Sequence, residues 1–302
     1  MEDVLSQIAF LGAIETGLIF ALVAFGVFIS FRVLDFPDLT VDGSFPLGAA
    51  VSATLIVSGV NPWLATLAAM LAGGCAGWLT AWMNIKLNIL HLLASILTMI
   101  ALYSVNLRIM GKPNTALLGE ETVLTPFESL GLPYYYSTPL AFAVVVLIVV
   151  TLMYLFLTSE TGLGMRAAGA NRNMARAQGI NTGGMIMLGM AISNALVALA
   201  GSMFAQSQGA ADVTMGVGVI VVGLASVIGG EAVMPPKTIL LALLGCILGS
   251  ILYRLAIAAA LNADFLGLQA QDLNLITAAL VAFAIVLPGA KRSVFRKSGV
   301  TK

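Results

Sequence analysis

Long apolar runs separated by short polar segments make up most of the chain. They lie at about 8–30, 43–60, 64–83, 89–110, 138–157, 184–205, 215–230, 238–260 and 273–290. A helix that crosses a bilayer needs about 20 mostly apolar residues, so each run is long enough, or nearly long enough, for one crossing. The pattern therefore predicts an all-α, polytopic transmembrane fold of about nine spans, in one domain that covers residues 1–302.

Two of the runs, 43–60 and 215–230, are short and rich in small residues. The first follows Pro37 and Asp38, and the second precedes Pro235. Irregular backbone is tolerated at membrane depth only where protein or a water-filled cavity covers it. These two segments are therefore predicted to be broken or re-entrant helices beside a central pathway.

The basic residues predict the orientation in the membrane. When successive connections are assigned to alternate sides, eleven of the fourteen Lys and Arg residues fall on one side. They are Arg32, Lys86, Arg166, Arg172, Arg176, Lys237, Lys291, Arg292, Arg296, Lys297 and Lys302. The positive-inside rule makes this side cytoplasmic, which predicts an outside N-terminus, an inside C-terminus and a multi-pass location in a bacterial inner membrane.

Composition agrees with this assignment. Sixty per cent of the residues are hydrophobic, only 9% are charged, and the mean hydropathy is +1.02. An ordinary soluble domain carries about 25% charged residues, so that class is excluded. The net charge of zero gives no indication of a nucleic-acid partner. The small-residue pairs Gly73 with Gly77 and Gly245 with Gly249 are expected to pack helices within the chain rather than to form a dimer seam.

The segment from about 158 to 183 joins two predicted spans on the cytoplasmic side and is longer than most connections. Its Ala and Met residues, with Arg176, favour a short helix, and Gly179 stands where such a helix would end. A small projecting helix suits insertion into a cleft of another protein, with Arg166 and Arg172 available to acidic partners. Charge alone also allows a solvated basic loop that only maintains topology.

This segment resembles the coupling-helix loop of permeases in the branched-chain amino acid family of ABC importers. The resemblance implies ATPase contacts for Arg166, Ala167, Gly169, Asn171, Arg172, Ala175, Arg176, Gly179 and Ile180. The stretches 32–50, 111–119 and 227–231 are similar to a subfamily described as tryptophan or tyrosine transport-system permeases. Ala168 follows Arg166 and Ala167 where many importer loops open with Glu-Ala-Ala.

The resemblance implies a permease subunit that forms the translocation pathway for a small solute, an amino acid of aromatic or branched-chain type. It also implies three protein partners: a second, identical permease subunit, a cytoplasmic ABC ATPase dimer that receives the coupling loop, and an extracytoplasmic solute-binding protein. ATP and Mg would bind to the ATPase. This chain has no Gly-x-x-x-x-Gly-Lys-Ser/Thr motif, so no ATPase site and no cofactor of its own is expected.

Polar side chains inside or beside the apolar runs are candidates for the pathway. They are Asp38, Thr40, Asp42, Ser44, Asn194, Glu15 and Arg254. Asp38 and Asp42 would share one face if their turn were helical, and they either line the mouth of the pathway or cap the short second span. Asn194 is expected to bond another helix or to contact solute. Glu15 and Arg254 are expected to form a salt bridge, with a snorkelling Arg254 or direct contact with a zwitterionic solute as the alternatives.

Two alternatives remain open from the residues. An ion-coupled secondary transporter would also be helical, Gly-rich and broken near the midplane, and the solute could be a nucleoside or a small sugar. An enzyme is not expected, because neither His-Glu-x-x-His nor Gly-x-Ser-x-Gly occurs. The single histidine, His91, has no Cys or His partner at ligand spacing, so no metal site is expected.

Overall fold

A computed structural model describes residues 2–128 and 133–261 of the chain. These residues form eleven α-helices and one pair of short antiparallel strands, β1 (Asn114–Ala116) and β2 (Ala210–Asp212). The helices are α1 (Glu2–Val27), α2 (Val41–Val57), α3 (Pro62–Leu87), α4 (His91–Met110), α5 (Thr125–Glu128), α6 (Tyr134–Thr158), α7 (Glu160–Ala170), α8 (Arg172–Ala177), α9 (Thr182–Gln208), α10 (Val219–Val233) and α11 (Ile239–Leu261). A π-helical turn, Phe28–Val33, continues α1.

Six of these helical segments are long and apolar enough to cross a membrane: Phe10–Val33, α3, α4, Tyr135–Thr158, α9 and Ile239–Ala259. They coincide with six of the predicted runs. The two runs predicted to be short correspond to α2 and α10, which have 17 and 15 residues. The predicted ninth span, 273–290, and the basic C-terminal residues after it lie outside the described residues.

The two short helices begin about halfway along the bundle and not at its ends. Residues 35–39, which belong to no helix or strand, lead into α2, while a turn-rich segment, 213–218, leads into α10. The depth of the first segment follows from Asp38, which bonds to Asn194 at the middle of α9. The starts of α2 and α10 meet there, since the Asp42 carboxylate accepts hydrogen bonds from the backbone at the start of α10.

Helix α9 is central to the packing, and it contacts α1, α2 and α3. Glycines permit these close approaches. A Cβ placed on Gly48 of α2 would lie 2.0 Å from the Ala198 carbonyl oxygen, and one on Gly77 of α3 would lie 2.1 Å from the Met190 carbonyl oxygen. Backbones therefore touch directly, as expected for helix association where lipid removes the hydrophobic driving force.

The predicted glycine pairs pack within the chain. Gly73 and Gly77 both face α9, and a Cβ on Gly249 of α11 would lie 1.9 Å from the Ser226 carbonyl oxygen of α10. Gly245 lies against Gly230 of α10 at ordinary contact distance. The prediction of packing within the chain is therefore consistent with each of these contacts.

The outer surface of the bundle is apolar, as a lipid-facing surface must be. Leu147 and Leu152 of α6, with Leu67 and Leu71 of α3, are among the exposed large side chains. Helix α4 is the least buried of the six long helices. One face of α4 therefore lacks a protein neighbour in the part of the chain that the structure describes.

Basic residues gather at one end of the bundle. Arg32, at the end of the π-helical turn, pairs with Glu231 near the end of α10. Arg172 of α8 bonds to His91 at the start of α4. The strands β1 and β2, which follow the other ends of α4 and α9, pair at the opposite end. The connections between the described helices therefore alternate between the two ends of the bundle, as the predicted orientation assumes.

The close approach of α2 and α9 gives a test of the packing. We expect Gly48→Ala to destabilise the protein by at least about 1–3 kcal/mol, because the new methyl group would overlap the Ala198 carbonyl. Gly229→Ala in α10 is the matched control, since no atom lies within 4 Å of its added Cβ. Thermal unfolding of the detergent-purified variants measures both, and equal melting temperatures would contradict the packing described.

Candidate functional site

A buried polar cluster lies at the centre of the bundle. The Asn194 side chain donates from Nδ2 to the Asp38 carboxylate at 2.7 Å and accepts at Oδ1 from the Ser44 hydroxyl at 2.7 Å. All three residues are completely buried. Asn194 of α9 thereby bonds to segment 35–39 and to α2, which is the helix-to-helix alternative predicted for it.

Hydroxyl groups extend this cluster across three helices. The Thr40 hydroxyl, at the start of α2, lies 2.9 Å from the Thr80 hydroxyl of α3. The Thr80 hydroxyl donates to the Thr98 hydroxyl of α4 at 2.8 Å. The backbone N–H of Thr40 donates to the Asp38 carboxylate at 2.9 Å. The chain of hydrogen bonds therefore holds the first turn of α2 against both neighbouring helices.

Asp38 and Asp42 do not share a helical face, because the turn between them is not helical at Asp38. Asp38 lies in segment 35–39, where its carboxylate accepts from the Thr40 N–H and so forms a turn. Asp42 is in the first turn of α2. Its carboxylate, however, accepts from the Ile220 N–H at 2.8 Å and the Gly218 N–H at 3.3 Å. Asp42 therefore caps α10, a helix 176 to 178 residues away, and not its own helix.

Asp42 also borders a cavity of about 440 Å³ between α2, α4 and the segment before α10. The wall is mostly apolar. Its members are Asp42, Gly43, Pro46, Met99, Ile100, Tyr103, Ser104, Asn106, Val213, Thr214 and Val217. The cavity opens along the exposed face of α4, because Ile100, Tyr103 and Ser104 are exposed on that face.

Two hydrogen-bond acceptors in the wall lack their expected donors. Asn106 is completely buried; its Nδ2 donates to the Gly43 carbonyl at 3.3 Å, while its Oδ1 has no hydrogen-bond partner among the described residues. Pro46 lies inside α2 and has no N–H, so the Asp42 carbonyl loses the donor that a regular helix would supply four residues on. Asn106 and Asp42 both line the cavity, but the Asp42 carbonyl oxygen lies against Gly216, whose added Cβ would be 2.0 Å from it.

The paired strands β1 and β2 position the segment that closes this side of the cavity. The Asp212 carboxylate accepts from the Thr214 backbone at 2.7 Å and from its hydroxyl at 2.6 Å. These hydrogen bonds hold the pKa of Asp212 below its usual value, since they favour the ionised form. The turn after β2 is therefore ordered by a charged acceptor before the chain enters α10.

Glu15 and Arg254 do not pair with each other among the described residues. The Ser207 hydroxyl of α9 donates to Glu15, and the Arg254 guanidinium lies over the Phe20 ring, 3.9 Å from its centroid. Neither residue borders the 440 Å³ cavity. The predicted salt bridge is therefore not formed there, because each side chain meets a partner on a neighbouring helix.

The segment 158–183, predicted to contain one short helix, folds as two, α7 and α8. Asn171 separates them, because its backbone is extended and its side chain accepts from the Met174 N–H at 3.0 Å as the N-cap of α8. Gly179 ends the turn after α8 with φ of +83°, a conformation that favours glycine. The predicted stop at Gly179 therefore coincides with the structure.

The other predicted coupling residues fall into buried and exposed groups. Ala175 is buried and Arg176 is exposed, with its Nε donating to the Thr182 hydroxyl at 3.0 Å. Arg166, Ala167, Gly169, Arg172 and Ile180 are partly exposed, and Asn171 and Gly179 are exposed. A Cβ on Gly169 would lie 1.8 Å from the Val33 carbonyl oxygen, so α7 packs directly on the end of the first span.

A second, polar pocket of about 240 Å³ lies beside α8. Arg172 contacts His91 in its wall, with Nη2 3.1 Å from Nε2, and the His91 ring packs on Phe36 with centroids 4.7 Å apart. Arg176 and Asn84 also line the pocket. These contacts join α8 to segment 35–39, which carries Asp38.

Sequence reasoning missed Asn106, Thr80, Thr98 and Pro46 as parts of the site. A buried Asn or Thr inside an apolar run is a usable signal, because polar groups at membrane depth need internal partners. Pro46 inside a short run is another signal, since proline frees a carbonyl within a helix. The partners themselves lie too far away along the chain to be identified from these signals.

The central cluster can be tested with Asn194→Leu, which removes a hydrogen-bond donor to a buried carboxylate. We expect a loss of about 1–3 kcal/mol or more of stability. In an Asp38→Asn background the same substitution should cost less by about 0.5–3 kcal/mol, because no charge remains to be stabilised. Unfolding in detergent measures this double-mutant cycle, with Ser52→Ala as control since Ser52 bonds only within α2. Strictly additive costs would show that Asn194 and Asp38 do not interact.

Comparisons with known proteins identify the family. The family model described as branched-chain amino acid transport system / permease component matches residues 9–287. A tyrosine transport system permease protein of Clostridioides difficile is 39% identical over 265 residues, 87% of this chain and 86% of that protein. An uncharacterized protein of Rickettsia prowazekii is 34% identical over 268 residues, 87% of this chain and 92% of its own length.

A solved structure shares the fold. PsaBC from Streptococcus pneumoniae, solved in complex with a Fab, superposes with a TM-score of 0.51 at 14% identity, over 90% of this chain and 89% of that one. The resemblance first seen in residues 158–183 is confirmed by the family match and by the 39% identical relative. The chain belongs to the family of permease components of branched-chain amino acid transport systems.

Proposed function

We propose that this chain is the permease subunit of an ATP-driven importer of the ABC class, and that it carries an amino acid across a bacterial inner membrane. Two copies would form the pathway, a cytoplasmic ATPase dimer would bind ATP and Mg, and an extracytoplasmic solute-binding protein would deliver the solute. The relative described as a tyrosine transport permease favours an aromatic amino acid. A nucleoside or a small sugar is the substrate alternative.

The observation that carries the proposal is the meeting of two half-helices at the centre of the bundle. The starts of α2 and α10 lie together, linked by Asp42, and a cavity large enough for a small molecule adjoins them. Interrupted helices of this kind form solute sites in transport proteins, because their free backbone groups and terminal dipoles face the pathway.

The surface of α8 supports an ATPase partner. Met174, at 64% exposure, and Arg176 project from it, while buried Ala175 holds the helix against the protein. Arg172 and Arg176 give this short helix a positive charge suited to acidic side chains in a cleft of a partner. A projecting helix of this kind is suited to receive the movement of an ATPase partner.

Packing contacts continue from α7 and α8 to the central polar cluster. Gly169 of α7 packs against the Val33 carbonyl, and the next residues of that chain lead to Asp38. His91 connects Arg172 to Phe36, two residues before Asp38. A rigid displacement of α7 and α8 would therefore be transmitted to the start of α2 by packed groups, with no flexible linker between.

The ion-coupled secondary transporter is the competing function, and one observation favours it. Asp38 is completely buried and forms no ion pair in residues 2–128 and 133–261, where the Arg32–Glu231 pair is the one salt bridge. Carboxylates held in this way serve as cation or proton sites in gradient-driven transporters. The energy source separates the two functions.

Reconstitution in liposomes with the cognate ATPase and binding protein tests the proposal. We expect uptake of a labelled amino acid to follow addition of ATP in the absence of an ion gradient. Met174→Glu should reduce ATPase association and uptake about tenfold or more, because it places a carboxylate at the centre of the docking surface.

Leu118→Glu provides the matched control, since Leu118 is an 86% exposed apolar residue near the opposite end of the bundle. It should leave ATPase association unchanged. Uptake that follows a proton or sodium gradient without ATP, with normal behaviour of the Met174 variant, would establish the secondary transporter instead.

The proposed orientation, with nine spans, an outside N-terminus and an inside C-terminus, has a separate test. Single cysteines at Leu118 and Met174, in a background with Cys75 and Cys246 replaced by Ala, would be treated with a membrane-impermeant maleimide on intact spheroplasts. We expect Leu118→Cys to react and Met174→Cys to react only after lysis, because the side with α8 is proposed to be cytoplasmic. The reverse pattern would invert the topology.

A further inference from the structure

We propose that the 440 Å³ cavity between α2, α4 and the start of α10 binds the ammonium group of an amine-bearing solute whose body is apolar or aromatic. The inference rests on the proposed transport function, because it assigns the occupant of this cavity as the cargo. It identifies a binding site within this chain itself, separate from any selection by a solute-binding protein.

Three acceptors around the cavity suit a cation with several N–H donors. The Asp42 carboxylate uses two of its roughly four lone-pair positions to cap α10, which leaves two for a ligand. The Asn106 Oδ1 has no partner among the described residues and supplies the third acceptor position. An ammonium group has three donors, matching these three positions.

The charge around the cavity also favours a cation. No Lys or Arg is among the described residues that line it, and buried Asp38 lies four residues before Asp42. Neither aspartate forms an ion pair in the part of the chain that the structure describes. A negative potential in a low-dielectric environment attracts an ammonium group and opposes a carboxylate placed at the same position.

The rest of the wall indicates what the ammonium is attached to. Met99, Ile100, Val213 and Val217 present apolar surface, and Tyr103 offers an aromatic ring for stacking. The volume is within the range of pockets that hold one small molecule. The hydroxyl groups of Ser104 and Thr214, both exposed, lie where a polar end of the solute would face outward.

This assignment makes the amine, and not the carboxylate, the group that the permease recognises. It therefore predicts that an aromatic amine without a carboxylate binds, whereas the matching aromatic acid without an amine does not. A nucleoside or a neutral sugar lacks the cation and would gain nothing from Asp42 or Asn106.

The test is ligand binding to the full-length permease in lipid nanodiscs, without ATPase or binding protein. We expect tyramine and tyrosine to raise the melting temperature and to bind saturably, and 3-(4-hydroxyphenyl)propionate and uridine to do neither. Equal binding of the propionate and tyramine, or binding of none of the four compounds, would overturn the inference.

Two variants assign the binding to this cavity. Asp42→Asn should weaken tyramine binding about tenfold or more, because the amide oxygen can still accept from the Ile220 N–H of α10, whereas the neutral side chain no longer pairs with a cation. Ile100→Trp should block binding by filling the cavity from its exposed rim, with Asp42 intact. If the Asp42 variant does not fold, the Ile100 variant decides alone.

Glu120→Gln is the matched control, since Glu120 is an exposed carboxylate outside the cavity and its loss should not change tyramine binding. Unaltered binding in the Ile100 variant would place the site elsewhere and overturn the inference. ATP-driven uptake by a permease that binds no amine would also overturn it while leaving the proposed function intact. Amine binding with no ATP-driven uptake would do the opposite.

Discussion

The fold depends on the need to satisfy backbone polar groups at membrane depth. Helix α10 begins partway along the bundle, and the Asp42 carboxylate accepts from two N–H groups at its start. The same carboxylate sits at the start of α2, so one side chain joins the two half-helices. The Asp38 carboxylate similarly accepts from the Thr40 N–H and so fixes the turn between segment 35–39 and α2.

Close helix packing makes this arrangement possible. Backbone contacts at Gly48, Gly77 and Gly201 bring α2 and α3 against α9, so that Asn194 reaches both Asp38 and Ser44. A Cβ at those glycines would lie 1.9–2.1 Å from a backbone carbonyl oxygen, so the helices would have to move apart and the Asn194 hydrogen bonds would lengthen. The buried polar cluster and the glycines are therefore two parts of one structural solution.

The proposed ATPase-docking surface and the central polar cluster are connected in this permease. The proposed docking surface on α8 and the central cluster share the segment that carries Phe36 and Asp38, which is held by His91 from one side and by Asn194 from the other. The cavity at Asp42 borders the same half-helices. A displacement of α7 and α8 would thus alter the polar geometry at the starts of α2 and α10.

The sequence by itself determined the class of fold, eight of the predicted helical runs, the shortness of α2 and α10, and the turn at Gly179 that follows α8, because apolar length and glycine conformation are local properties. The motif in residues 158–183 also determined the family. Only the tertiary structure decided that Asp42 caps α10, that Glu15 meets Ser207 and not Arg254, and that Asn106 borders a cavity. Those outcomes depend on which distant helices come into contact, and residue pattern alone does not contain that information.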